Sequence, residues 1–282
     1  MPPTLSRYLM GRLNIIPRLS DEKESYLLAG MQSPPTIVHR RTKWSFFEVQ
    51  ADTIQDNRFI HGFLVKYRSS ESDEVVSEEA HELVHETVVN RVAAKARFFI
   101  HLPSLIIAFQ EGRIITEEVF VERFVALLRE GHGGFFIVPE IQLIQEEFAV
   151  FEAIREFDVI SKVSIYLHPS NPDSTPDWDD FDDHLTAVGA ASYREEYIAA
   201  PNTQGLRIAD DPDIKAKITM AQDGYGKASV TGIVDGRPRT VTTLDSPVTA
   251  RAPRDPDVEP SVVVEALRAA FNAVLRRFGK SL

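Results

Sequence analysis

His81-Glu82-Leu83-Val84-His85 reads H-E-x-x-H. On a helix, side chains four residues apart share a face. Two imidazoles can then hold one Zn²⁺ while the carboxylate between them activates a bound water. Ser77 is placed to cap such a helix, and Glu78 and Glu79 suit its first turn. In that reading His81 and His85 are metal ligands and Glu82 is the general base of a zinc-dependent hydrolase. The third ligand stays open among Glu111, Glu117, Glu118 and Glu122. The chain has no cysteine, so any metal must be held by histidine and carboxylates.

Over these five residues the chain resembles the zincin metallopeptidases. Zincin helices keep uncharged side chains around both histidines, and Glu79 and Glu86 depart from that pattern. The competing reading is a solvated acidic helix whose Val84, Val88 and Val92 face the core.

Other constellations carry weaker chemistry. His101 and His168 sit in HLPS and LHPS at expected strand ends, where paired histidines can serve phosphoester chemistry or simply cap strands. Asp173, Asp177, Asp179, Asp180, Asp182 and Asp183 offer oxygen ligands, but at a helix start the dipole accounts for them. Arg40, Arg41 and Lys43 adjoin Trp44, Phe46 and Phe47. Basic and aromatic residues on a sheet can hold single-stranded nucleic acid; the alternative is a strand whose aromatics lie in the core. Gly224-Tyr225-Gly226-Lys227 follows a helix, not a strand, and is a helix stop rather than a phosphate loop.

The elements that must position these residues follow from periodicity. Trp44–Gln50 and Phe59–Arg68 read as a β-hairpin joined by a polar link, and Arg68–Val76 as irregular. Lys95–Gln110 reads as two strands bent at Pro103. Phe120, Phe124, Leu127 and Leu128 give a helix after Thr116, with Gly131 just beyond its end. The order of strand (within Lys95–Gln110), helix (after Thr116), strand (Phe135–Val138), helix (Glu146–Phe157) and strand (Val163–Leu167) suggests at least one βαβ-like unit in a mixed sheet. Asp177–Ala199 reads as one helix, and Asp211-Pro212 opens another. Asp235-Gly236 marks a hairpin. After an extended connector over Ser246–Pro260, a last helix shows an apolar stripe of Val263, Leu267, Phe271, Val274 and Phe278. The fold class is α+β: a mixed sheet with an N-terminal β-hairpin, a βαβ-like centre, and a C-terminal hairpin and helix. A boundary in Pro169–Pro176 separates an N-terminal domain, 1–168, from a helix–hairpin–helix region, 177–282, packed on it.

The segments FLVKYR, KARFFIHLPSLIIAF, YLHPSNPD and MAQDGYGKASVTGIVDG resemble an uncharacterised bacterial family of about this length. The resemblance implies a bacterial cytoplasmic accessory protein of mobile-element and phage-defence loci. It assigns no catalytic residue.

Composition narrows the classes. The 282 residues carry 42 acidic and 31 basic side chains, a net charge of −11, which argues against a surface basic all over. The acidity is segmental. Ser70–Glu86 holds seven acidic residues and no Lys or Arg. The N-terminus has arginines within its apolar stretch, and Phe98–Phe109 is too short to span a bilayer, so neither a signal peptide nor a membrane span is expected. The leading expectation is a non-enzymatic binding or regulatory subunit of a bacterial multi-component system, with a protein partner or homo-oligomer and no cofactor. The zinc hydrolase is the alternative, and nucleic-acid binding through Arg40, Arg41 and Lys43 comes third. The amphipathic last helix and the hairpin edges are the candidate contact surfaces.

Overall fold

A computed structural model describes residues 4–16, 23–77, 82–132, 138–170, 174–201, 204–208 and 211–282. Two antiparallel sheets form the framework. The larger is organised around β1 (Leu5–Ile16), whose Tyr8, Leu9, Met10, Leu13 and Ile15 are all buried. One edge of β1 pairs with β6 (Ile106–Gln110). Its other edge is shared end to end by β12 (Thr249–Pro253) and β7 (Val138–Leu143). Beyond β6 lie β5 (Glu82–His101), β4 (Asn57–Ser77), β3 (Thr42–Ile54) and β2 (Ile37–His39). The smaller sheet runs β11 (Arg237–Thr242), β10 (Gly226–Val234), β8 (Val159–Leu167), β9 (Tyr193–Ile198). The α+β class follows directly.

Alternation sorts the large sheet into two apolar faces. On one, Leu9, Phe46, Phe98 and Phe109 meet Phe120, Phe124, Leu127 and Leu128 of α2 (Glu117–Gly131). The expected stripe is thus the buried one. Helix α1 (Lys23–Gln32) packs beside it and crosses where two glycines meet: a Cβ on Gly131 would stand 2.8 Å from the Gly30 carbonyl oxygen. On the other face, Tyr8, Phe59 and Phe99 receive Val263, Leu267, Phe271 and Val274 of α6 (Pro260–Leu275). The apolar face of the last helix is therefore spent on its own sheet and is not a free contact surface. In the small sheet, Val163, Ile165 and Val230 pack on α3 (Ala149–Ile154) and α5 (Pro212–Met220), with Trp178 at the start of α4 (Asp179–Ala187). Asp211 caps α5 by accepting from the Asp213 and Ile214 amides, with Pro212 at its first position.

Several expectations are corrected. Every strand pairing among the described residues is antiparallel, so the sheet they form is not mixed. The βαβ-like unit survives in split form: β6 and β7 both run against β1 from opposite edges, with α2 as the crossover. The chain expected to be irregular at Arg68–Val76 and helical around Glu82–His85 is instead one long hairpin of β4 and β5. Its β-branched residues, Val75, Val76, Val84, Thr87, Val88 and Val89, favour extended backbone. The expected helix over Asp177–Ala199 ends at Ala187. Gly189 turns the chain at φ +70°, and Tyr193–Ile198, alternating half-buried and exposed, becomes β9. The link between β3 and β4 is a two-residue turn, with Gln55 and Asp56 at positive φ. The connector over Ser246–Pro260 contributes β12, and the expected strand over 135–138 is described only from Val138.

The two sheets are joined by buried polar contacts. Arg12 of β1 donates from Nε to the Asp223 carbonyl (2.9 Å) and from Nη1 to the Ser104 carbonyl (3.0 Å). Its guanidinium lies over Tyr225 and Phe278. Asn14 donates to the Gly224 carbonyl at 2.8 Å. The Asp223 carboxylate accepts from Trp178 Nε1 and Arg277 Nη1, both at 3.2 Å. Arg277 Nη2 also reaches the Gln145 carbonyl at 2.7 Å. At the rim, His168 Nε2 lies 2.8 Å from Glu140 Oε2 of β7.

Two measurements test this framework. Gly224 has φ +89°, and a Cβ there would stand 2.8 Å from the Arg12 Cβ. Gly224→Ala is expected to destabilise the chain by about 1–3 kcal/mol in urea unfolding; an unchanged midpoint would contradict the close approach. The His168 ring holds the Glu140 carboxyl below its ordinary value of 4.5. A carboxylate with a lowered folded pKa stabilises the fold fully above its unfolded value and loses that contribution as pH falls through the folded one. The stability gap between wild type and Glu140→Gln should therefore be largest near about pH 6 and close toward about pH 3. A gap that is constant across this range would show that the contact is not ionic.

Candidate binding groove

The zinc geometry requires a helix, and the described part of the motif is strand. Glu82 pairs with Ser77 and His85 with Glu74 in the β4–β5 ladder. Four residues of strand span about 13 Å, against roughly 6 Å for one helical turn, so the spacing that aligns two imidazoles on a helix separates them here. His81 itself lies outside the described residues. Among those described, no group of three His, Asp or Glu side chains is arranged to hold a metal. Of the open third ligands, Glu111 is tied to Arg7 at 2.9 Å and Glu122 lies 3.3 Å from Arg123.

His101 and His168 are both buried, but in different sheets and with different partners. His101 Nδ1 is 2.7 Å from Ser104 Oγ, whereas His168 faces Glu140 and the Ala191 carbonyl. They do not converge on a reaction site. In the aspartate cluster, Asp182 is buried and fixes Ser170 through its amide (2.6 Å) and hydroxyl (2.5 Å). Asp173 lies outside the described residues.

The basic-aromatic run divides as strand alternation dictates. Trp44 and Phe46 enter the core, and Lys43 and Phe47 take the opposite face. Arg40 and Arg41 are exposed in the β2–β3 turn, with Arg40 at φ +56°. Phe47 stands edge-on to Tyr67 with ring centroids 5.8 Å apart. Their sheet face continues to Phe63, which lies opposite Phe47 on one side and Arg97 on the other. It is the face that α6 covers further along; here Phe63 and Val65 stay buried while Phe47 is exposed.

At that margin lies a groove of about 620 Å³ between β5, the loop after β6 and the segment joining β12 to α6. Sequence reading missed its cations, because Lys95, Arg97, Arg113 and Arg254 come from three separated segments. Arg97 is 5% exposed. Its Nη1 donates to the Val258 carbonyl at 2.8 Å, and its guanidinium lies over Phe63 and Phe99. Its Nε is buried without a hydrogen-bond partner among the described residues. Burial pulls Arg97 below its ordinary pKa, and Tyr8, Glu259 and Glu48 oppose that; arginine remains charged regardless. Beside it, burial pushes the Tyr8 hydroxyl up to about 12, so Tyr8 stays neutral. Lys95 Nζ sits 4.8 Å from the Phe63 ring centroid. Among the described residues, Lys95, Arg113 and Arg254 form no ion pair. A shallower groove of about 420 Å³ crosses the open face of the small sheet, where Arg194 and Lys227 flank Tyr166.

No helix among the described residues is long and apolar enough to cross a membrane. No curated protein matches the chain. The model of a domain of unknown function, DUF4747, matches residues 10–272, from the middle of β1 to the last turns of α6. The match spans both sheets and the groove, and the chain belongs to the DUF4747 family.

Proposed function

We propose that the protein is a non-enzymatic binding or regulatory subunit of a multi-component system, and that the β4–β5 hairpin is its docking element. One observation carries this reading. From Arg68–Arg91 to Ser77–Glu82, β4 and β5 pair only with each other among the described residues. β3 stops pairing at Tyr67, and β6 begins at Phe98. Ten residues of each strand make a ribbon about 33 Å long. Such a ribbon is marginal alone and offers the backbone groups of both edges to another chain. It carries the acidic stretch Ser70–Glu86, so its partner surface is expected to be basic. The finer reading, an antiphage system of a bacterial cytoplasm, is supported only by the resemblance of the quoted segments. The zinc alternative keeps only the sequence pattern at His81, Glu82 and His85.

Replacing residues 69–90 with a two-residue Asn-Gly turn joins Arg68 to Arg91 at an existing ladder pair. The shortened chain is expected to unfold as cooperatively as the parent. By light scattering, the parent should exceed the 31.7 kDa of one chain or hold a stoichiometric partner from its native host, and the shortened chain should not. A parent that is monomeric and partner-free, or a shortened chain that keeps its assembly, would refute the assignment. Zinc analysis of untagged protein is expected to give less than about 0.1 equivalent, since a catalytic ion is stably held. A full equivalent lost in His81→Ala would instead establish the metal reading.

A further inference from the structure

We propose that the groove beside Arg97 binds single-stranded nucleic acid through its phosphates, with bases stacking on the aromatic sheet face next to it. The inference does not depend on the docking role of the ribbon. Four cations line the groove, and its carboxylate Glu111 is engaged by Arg7. Arg97 is the built part of the site. It is fixed by the Val258 carbonyl and by two aromatic rings, and its Nε–H is left without a protein acceptor among the described residues. Arg97 itself is almost inaccessible, so it adds a fixed charge to the potential of the groove, and direct phosphate contacts fall to the exposed Lys95, Arg113 and Arg254. The cavity of about 620 Å³ exceeds what a free phosphate fills and suits a nucleotide unit.

The neighbouring face supplies what an acidic peptide would not use. Phe47 is 44% exposed, Tyr67 stands edge-on to it, and Lys43 pairs across from Tyr67. One exposed ring, Phe47, with the half-buried Tyr67 edge-on to it, stands beside the cationic groove, and an exposed ring next to cations can hold single strands without sequence readout. A duplex keeps its bases stacked inside and cannot use them. The ribbon's acidity does not cancel the site. Its first acid, Glu71, lies six positions beyond Val65, the partner of Lys95, or about 20 Å along the strand. That is twice the screening length of about 8–10 Å at physiological salt.

The test is fluorescence anisotropy on the full chain with a 15-nucleotide oligothymidylate and its oligouridylate counterpart. Binding should weaken steeply with salt. Lys95→Ala/Arg113→Ala/Arg254→Ala changes only exposed side chains, so folding is retained. It should weaken binding at least tenfold and reduce the slope of log K against log salt by about two, the value for three lost phosphate contacts on a single strand. Phe47→Ala should cost at least fivefold with no base preference. Arg194→Ala/Lys227→Ala, in the small sheet, should change nothing. The proposal fails if neither oligonucleotide binds at low salt, if the triple variant binds normally, or if the small-sheet variant is the one that loses binding. It also fails if polyglutamate binds as tightly as the oligonucleotides, since the groove is then a site for acidic protein.

Discussion

A buried carboxylate between two arginines holds this molecule together. Asp223 is 3% exposed, and an isolated charge there would be prohibitively costly. Burial pushes its pKa up, while Arg277 and Arg12 pull it down. The three residues come from the turn before β10, from the C-terminal turn and from β1. Once Arg12 bonds the Asp223 and Ser104 carbonyls, β1 is locked to the edge of the small sheet. Once Arg277 reaches Asp223 and the Gln145 carbonyl, the end of α6 is locked to the same point. Removing one member of such a group typically costs about 3–5 kcal/mol, because the others are left buried and uncompensated. The joint therefore fixes the end of α6, and with it the margin of the large sheet that the helix covers.

That coverage defines the open surface. α6 shields Tyr8, Phe59 and Phe99 and stops short of Phe63, Phe47 and Tyr67. Arg97 stands where covered gives way to open. Its guanidinium lies over both Phe99, under the helix, and Phe63, at the groove. The carbonyl it bonds, that of Val258, lies just before the first residue of α6.

What was legible in the sequence was local. The α2 and α6 stripes, the Asp211-Pro212 start and the Asp235-Gly236 turn depend on residues within one or two turns of each other, and all formed. What was not legible required partners far along the chain. His81–His85 has the spacing of a helical face, but Val75 and Val76 stand across the ladder from Val84 and Leu83, and cross-strand pairing outweighs intrinsic helix preference there. The groove was invisible for the same reason, since Lys95, Arg113 and Arg254 become neighbours only when β5, the loop after β6 and the end of β12 meet. Of the basic-aromatic run, alternation alone decided the outcome: Lys43 and Phe47 stayed on the open face, and Trp44 and Phe46 did not.

Arg12 and Arg97 show why burial alone does not separate a structural arginine from a binding one. Both are nearly inaccessible, both lie against two aromatic rings, and both donate to backbone carbonyls. Arg12 borders a carboxylate that the protein itself supplies close by, Asp223, so its charge is answered within the fold. Arg97 borders a groove lined by three further cations; Glu259 and Glu48 act on it from nearby, but neither forms an ion pair with it among the described residues. An arginine placed among other positive charges raises the local potential instead of cancelling it. Such an arrangement is stable only where solvent or an anionic ligand can enter. Seven of the 42 acidic residues fall in the stretch Ser70–Glu86 that the ribbon carries, at the far end of the same two strands. A fold that separates its charges this way lets a cationic groove and an acidic ribbon coexist on one surface without neutralising each other.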